Sequence, residues 1–86
     1  MAEVPKASVV ITNPTHFAVA LRYEPGQDPA PRVVAKGADH LAFKIRELAK
    51  EHEVPLVENP ELARAIYKDV DLDEMIPVQL FEAVSK

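Results

Sequence analysis

Residues 8–23 have the sequence SVVITNPTHFAVALRY, in which two β-prone runs flank an Asn-Pro dipeptide. Residues 8–12 are rich in β-branched side chains, which favour an extended strand. In residues 16–23 larger apolar side chains alternate with small or polar ones, which is the period of a second strand. Pro14 has no backbone N–H for a sheet ladder, so the chain must break between the runs. The segment predicts two strands joined by a turn.

The second of these strands has two different faces. One face carries the larger side chains Phe17, Val19, Leu21 and Tyr23, and the other carries His16, Ala18, Ala20 and Arg22. Because the second face combines small and polar residues, it could accept a closely packed helix or face water.

The rest of the chain predicts five further elements and one loop. In order these are a loop at 24–31, a strand at 32–36 ended by Gly37, a helix at 39–52 with Asp39 as N-cap, a strand at 55–58, a helix from Pro60 capped by Asn59, and a helix from Pro77. The order β-β-β-α-β-α-α predicts a mixed α/β fold, with a small four-stranded mixed sheet surrounded by about three to four helices. The strand–helix–strand unit at 32–58 should join parallel strands. Residues 1–7 are expected to be a loose lead-in from a linker, and residues 8–86 the domain.

Length and composition exclude several classes of function. A chain of 86 residues has room for one compact domain, and a net charge of −4 argues against nucleic-acid binding. The absence of cysteine excludes disulfides, zinc–thiolate sites and a cysteine nucleophile. His16, His40 and His52 are too scattered to indicate a metal site, so neither metal nor cofactor is expected. No apolar run reaches the ~18 residues that span a bilayer.

The Asn13–Pro14 bond has an ordinary interpretation and a chemical one. Asn-Pro pairs often begin turns, because proline fixes φ and asparagine hydrogen-bonds its own backbone. Proline also lacks the N–H that would attack the asparagine side chain, so ordinary deamidation is blocked. The reverse attack stays open: the side-chain nitrogen of Asn13 can close a succinimide on its own main-chain carbonyl and expel Pro14. This hypothesis predicts cleavage between Asn13 and Pro14.

Such a cleavage needs help from its surroundings. The turn must hold Asn13 in an attacking rotamer, and backbone amides of the loop are candidates to stabilise the oxyanion. His16 is the nearest titratable side chain and could transfer a proton near neutral pH, or could be an exposed strand residue with no role. Thr15 is expected to shape the turn. The predicted site is therefore Asn13, Pro14, Thr15 and His16, and because it acts once per molecule the chain is not a turnover enzyme.

Several segments of the sequence resemble one family. They are VPKA at 4–7, VVITNPTH at 9–16, AVAL at 18–21, APRVVAKGA at 30–38, IRE at 45–47, VP at 54–55, LARAIY at 62–67 and IP at 76–77. On these segments the chain resembles the cytoplasmic switch domain of the FlhB/YscU family of type III export proteins. Ser8 stands where the family is expected to have aspartate, and Phe17 where tyrosine is common, but neither touches the Asn-Pro chemistry.

The resemblance implies a biological setting. The domain would follow the transmembrane helices of a bacterial inner-membrane protein, which are absent from this chain, and lie in the cytoplasm. It would control the change of flagellar export from hook to filament substrates. The expected partners are the hook-length control protein, export-gate components and export substrates, and the cleaved fragments are expected to stay associated. The alternatives are an injectisome-type secretion switch, an uncleaved interaction module of the same apparatus, and a small enzyme acting on another substrate. The chain lacks the motifs of such an enzyme.

Overall fold

The computed structural model describes residues 3–13, 16–24, 26 and 29–77. Within them the elements are a 3₁₀ turn at Val4–Lys6, β1 at Val9–Asn13, β2 at Phe17–Arg22, β3 at Arg32–Ala38, α1 at His40–Glu51, β4 at Leu56–Glu58 and α2 at Pro60–Asp69. The described part contains two α-helices, which is fewer than the three to four predicted. The predicted helix from Pro77 falls almost wholly on residues 78–86, outside the described residues.

The four strands form one mixed sheet in the order β3-β2-β1-β4. The pairs β1–β2 and β2–β3 are antiparallel, whereas β4 pairs with β1 in parallel. The predicted mixed α/β fold with a four-stranded sheet is therefore confirmed. β3 and β4 also run parallel, as the strand–helix–strand unit predicts, but they lie at opposite edges because the β1–β2 hairpin fills the space between them.

The core has two parts, one on each face of the sheet. α1 covers the face that carries Val10, Ala18 and Ala20, and α2 covers the face that carries Ile11 and Val19. Ala18 and Ala20 are both completely buried. Of the two possibilities for the small-residue face of β2, close helix packing is the one observed.

The close approach of α1 to β3 depends on Gly37. A Cβ added there would lie 2.6 Å from Leu41 Cβ and 3.1 Å from the Leu41 carbonyl carbon. Gly37 was predicted to end the third strand, but β3 continues through it to Ala38. The residue is therefore required by packing between sheet and helix.

Gly37→Ala is expected to destabilise the domain by about 1–3 kcal/mol, the usual cost of overpacking. Backbone entropy alone predicts that the same substitution stabilises the domain by roughly 0.5–1 kcal/mol. The sign of the change in the free energy of unfolding therefore distinguishes the two effects. Urea unfolding followed by circular dichroism measures the difference. Adding Leu41→Ala should not restore stability, because the Cβ and backbone atoms that collide remain. A Gly37→Ala domain as stable as the parent would contradict the packing argument.

The lead-in is more ordered than its sequence suggests. Val4 is completely buried and belongs to the cluster beneath α1, together with Val10 and Ala42. Ala7 packs against the same cluster. The prediction of a loose lead-in over residues 1–7 is therefore wrong for Val4 to Ala7, because a single valine fits the gap between α1 and the sheet.

Candidate functional site

The end of the β1–β2 hairpin contains the Asn13–Pro14 bond. Asn13 and Phe17 are the last paired residues of the two strands. The main-chain oxygen of Asn13 accepts a hydrogen bond from the backbone N–H of His16 at 2.8 Å. Pro14 and Thr15 lie outside the described residues. The oxygen of the bond predicted to break is therefore held by a backbone donor from the far side of the turn.

The residues that precede the two helices hold the end of this hairpin from either side. Asn59 N–H donates to the oxygen of Thr12 at 2.9 Å, and Asp39 N–H donates to the oxygen of His16 at 2.8 Å. Both bonds come from elements far away in sequence. The backbone on each side of the turn is therefore fixed by the tertiary structure and not by the hairpin alone.

These two helix-capping residues differ in how they use their side chains. Asn59 Oδ1 accepts from Leu62 N–H at 3.2 Å, so the predicted N-cap of α2 is confirmed. Asp39 occupies the N-cap position of α1 but makes no capping hydrogen bond with its side chain, so that part of the prediction is wrong. Its backbone has φ 51° and ψ −111°, a region that costs energy for a residue with a Cβ. A strained residue therefore lies one hydrogen bond away from the predicted cleavage turn.

α2 is fixed against the sheet beside this turn. The Phe17 ring, next to Asn13 across the hairpin, stacks against Tyr67 with centroids 4.6 Å apart. The Lys36 amine lies 5.3 Å from the Tyr67 ring centroid and donates to the oxygens of Tyr67 at 3.0 Å and Val70 at 2.9 Å. A cation is favourable at the carboxyl end of a helix, where the last carbonyls lack partners. These contacts set the position of α2, and so the position of its first turn.

The first turns of α2 form a cleft with Asn13. The cleft has a volume of about 240 Å³ and is lined by Asn13, Pro60, Glu61 and Arg64. Glu61 and Arg64 could not be predicted from the sequence as members of this site, because nothing local connects them with the Asn-Pro turn. Only the parallel pairing of β4 with β1 brings the start of α2 to this place.

His16 takes part in the site through its backbone. Its side chain is exposed, and its ring centroid lies 6.4 Å from that of Phe17. Of the four predicted site residues, the structure brings Asn13 and His16 together. Across the described ranges, no three His, Cys, Asp or Glu side chains are grouped as a metal site would require. None of the described helices combines the length and apolar character needed to cross a bilayer.

Comparison with known sequences places the chain among bacterial export proteins. The sequence model of the FlhB HrpN YscU SpaS family matches residues 1–86. The flagellar biosynthetic protein FlhB of Bacillus subtilis is 55% identical over 86 residues, which is all of this chain and 24% of that protein. FlhB of Salmonella typhimurium is 51% identical over the same 86 residues, or 22% of its length. The chain therefore spans about a quarter of the curated relatives that it matches.

Solved structures agree with this placement. The cytoplasmic domain of FlhB from Shewanella putrefaciens superposes with a TM-score of 0.92 at 51% identity, covering 98% of this chain and 64% of that one. A mutated EscU C-terminal domain gives a TM-score of 0.93 at 34% identity, covering 98% of this chain and 84% of that one. The fold described above is therefore shared with domains of known structure.

Proposed function

This chain belongs to the FlhB HrpN YscU SpaS family, and on that basis we propose that it is the cytoplasmic part of a type III export protein that cuts its own backbone between Asn13 and Pro14. Asn13 is the nucleophile and Pro14 the leaving group. Thr15 shapes the turn, and His16 supplies a backbone donor and an imidazole that can protonate the leaving nitrogen. The reaction runs once per molecule and is not turnover catalysis.

The chemistry is an intramolecular acyl transfer. Asn13 Nδ2 forms a bond to the main-chain carbon of Asn13, and the bond from that carbon to the Pro14 nitrogen breaks. Nδ2 loses one proton and the proline nitrogen gains one, so closure of the succinimide consumes no reagent. Water then opens the succinimide. Because nucleophile and electrophile belong to the same residue, the reaction avoids the loss of translational and rotational entropy that a bimolecular encounter would require.

One observation supports this proposal above the others. The backbone nitrogen of His16 lies 2.8 Å from the main-chain oxygen of Asn13 and donates to it, and this oxygen carries the negative charge once Nδ2 has attacked. A donor already aimed at a developing oxyanion stabilises the transition state without having to reorganise, and removing one such donor typically costs about 10²–10³ in rate. The bonds from Asn59 and Asp39 keep the two sides of the turn, and so this donor, in place.

The position of β1 supports continued association of the fragments. β1 is an inner strand, paired with β2 on one side and with β4 on the other. Val4, Val10 and Ile11 lie in the fragment that ends at Asn13 and are almost fully buried. Each such side chain stabilises the complex by about 1.5–3 kcal/mol. Cleavage should therefore relax the turn while the two chains remain one folded domain.

The second Asn-Pro pair of the chain provides an internal comparison. Asn59–Pro60 has the same chemistry available in principle. The Oδ1 of Asn59 is held by Leu62 N–H, and its main-chain oxygen accepts from Ala63 N–H at 2.9 Å within α2. A carboxamide engaged as a helix cap is not free to turn onto its own carbonyl, so this bond should stay intact.

Mass spectrometry of the folded chain at neutral pH tests both statements. The expected products are residues 1–13 and 14–86, with no fragment that ends at Asn59. The unfolded chain in denaturant should remain uncut, because the turn is then no longer held. A single intact mass after prolonged incubation of the folded chain would contradict self-cleavage and leave the uncleaved interaction module as the better hypothesis.

We further propose that cleavage resets which substrates a flagellar exporter accepts, from hook to filament proteins. The parent protein would lie in the bacterial inner membrane, with this domain in the cytoplasm. Its partners would be the hook-length control protein, export-gate components and export substrates. The injectisome-type switch is the alternative. Relatives that carry flagellar names are 50–55% identical to this chain, which favours the flagellar branch.

A further inference from the structure

The side chain of Asn13 belongs to the face of the sheet that α2 covers. Val9 and Ile11 pack with the α2 cluster, whereas Val10 packs with the α1 cluster. Because side chains alternate along a strand, the next residue on the α2 face is Asn13. The cleft that Asn13 shares with the start of α2 agrees with this placement. The carboxamide therefore faces the first turns of α2.

Two charged side chains of α2 line this cleft. Glu61 and Arg64 are separated by about one helical turn and are both exposed. In the part of the chain that the structure describes, neither makes an ion pair or a side-chain hydrogen bond. By contrast, Lys36 at the other end of α2 donates to two main-chain oxygens and pairs with the Asp71 carboxylate. The charges at the start of α2 therefore line the same cleft as the carboxamide.

Succinimide closure moves one proton off Asn13 Nδ2, and the site described so far has no group assigned to remove that proton as the nitrogen attacks. Asn13 Nδ2 must lose a proton to become the imide nitrogen, and an amide nitrogen is a poor nucleophile until it does. Among the described residues, the hydrogen bond between His16 and Asn13 is the backbone bond to the main-chain oxygen. A base is needed on the α2 side, and a carboxylate can act as one within hydrogen-bond reach.

We propose that Glu61 accepts the proton that Asn13 Nδ2 loses as it attacks; this inference rests on the cleavage proposed above. The carboxylate of Glu61 takes the proton as the bond from Nδ2 to the main-chain carbon forms. The electron pair of the breaking bond stays on the Pro14 nitrogen, which takes a proton from water or from His16. Proton count and charge balance, and no further reagent is required.

The other charged and titratable groups near the cleft do not offer the same geometry. Arg64 has no acceptor capacity, because a guanidinium only donates. Glu58 pairs with Thr12, so its side chain lies on the opposite face of the sheet from Asn13. His16 lies at the turn and does not line the cleft, and Lys36 lies at the far end of α2, so neither is placed to act as the base. Glu61 is the carboxylate that lines the cleft with Asn13.

The test compares Glu61→Gln with Glu58→Gln, which removes a carboxylate three residues away on the other face. Each 86-residue chain is synthesised chemically, folded by dilution from denaturant at a series of pH values, and sampled by mass spectrometry. General base catalysis typically contributes about 10²–10⁴-fold, so Glu61→Gln should slow cleavage at least about tenfold. It should also abolish the acid limb of the rate–pH profile, which is the fall in cleavage rate at low pH that occurs when the base becomes protonated. Glu58→Gln should leave both unchanged.

Further variants separate catalysis from structure. Glu61→Asp should recover part of the rate and restore the acid limb, whereas Arg64→Gln should keep the acid limb. Thermal unfolding in an Asn13→Ala background checks that the substitutions leave the fold intact. If the wild-type chain does not cleave, the proposed function itself fails. If it cleaves but Glu61→Gln matches its rate or keeps its acid limb, or if Glu58→Gln is slowed equally, the role of Glu61 is refuted while self-cleavage stands.

Discussion

Asn13→Ala is expected to abolish cleavage of the 13–14 bond and to leave the folded domain in place. The substitution removes the attacking nitrogen. No other side-chain amide belongs to the residue whose main-chain carbonyl must be attacked. The backbone donor from His16, the bonds from Asn59 and Asp39, and both core clusters do not depend on the Asn13 side chain. Asn13 is half-buried at the end of a strand, so the loss of stability should stay within about 1 kcal/mol.

The measurement is the intact mass of the folded variant over time, alongside its unfolding midpoint. Asn59→Ala is the matched control, since it alters the other asparagine that precedes a proline. Losing that helix cap should cost about 0.5–2 kcal/mol, yet cleavage after Asn13 should continue because the Asn59 backbone N–H is retained. Cleavage of Asn13→Ala at the same bond would rule out side-chain cyclisation as the mechanism.

Ile66→Ala should produce the largest loss of stability. Ile66 is completely buried on α2, in the cluster that joins this helix to β1, β2 and β3. Truncating a buried isoleucine to alanine typically costs about 2–5 kcal/mol, through lost transfer energy and the cavity that remains. The whole stability of a domain this size is roughly 4–13 kcal/mol, so the loss is a large fraction of the total. Tm should fall by at least about 10 °C.

This experiment belongs in the Asn13→Ala background, so that a single covalent chain unfolds. Leu41→Ala is the matched control, because Leu41 is also a large aliphatic residue on a helix but is 48% exposed. Its truncation should change stability far less. Thermal unfolding by circular dichroism gives both midpoints, and equal shifts for the two variants would mean that α2 does not form the core contact described here.

The local elements of this domain could be predicted because their signals are local. The strand at Val9–Asn13 follows from β-branched residues, and the start of α2 at Pro60 follows from the Asn59 cap and the missing N–H of proline. Residues that end strands and residues that cap helices both influence only the backbone a few residues away. The proposed reactivity of Asn13 also starts from a local signal, because Pro14 removes the competing attack, but Asn59 has the same neighbour and differs in that its side chain caps α2.

Errors arose where a distant contact overrode a local preference. Val4 has no amphipathic neighbours to mark it as core, yet it fills the space beneath α1. Asp39 has the composition of a helix cap, but its backbone lies at φ 51° and its N–H donates to His16, so the side chain makes no cap. The sequence predicts a strand end at Gly37, whereas in the structure this glycine allows α1 to approach β3. In each case a neighbour far away in sequence determines the outcome.

By itself the sequence determined the number of strands and the α2 cap, and it marked Asn13–Pro14 as a candidate for self-cleavage, since each of these depends on residues that are adjacent along the chain. Only the tertiary structure decided the strand order, the two helix-capping residues that hold the turn, and the placement of Glu61 beside Asn13. Those features arise when β4 pairs with β1 and apolar faces are buried on both sides of the sheet. The hydrophobic effect that drives this burial has no preferred direction, so it does not by itself select which elements pack together. The partners are decided by how all the elements pack at once, which residues adjacent in sequence cannot specify.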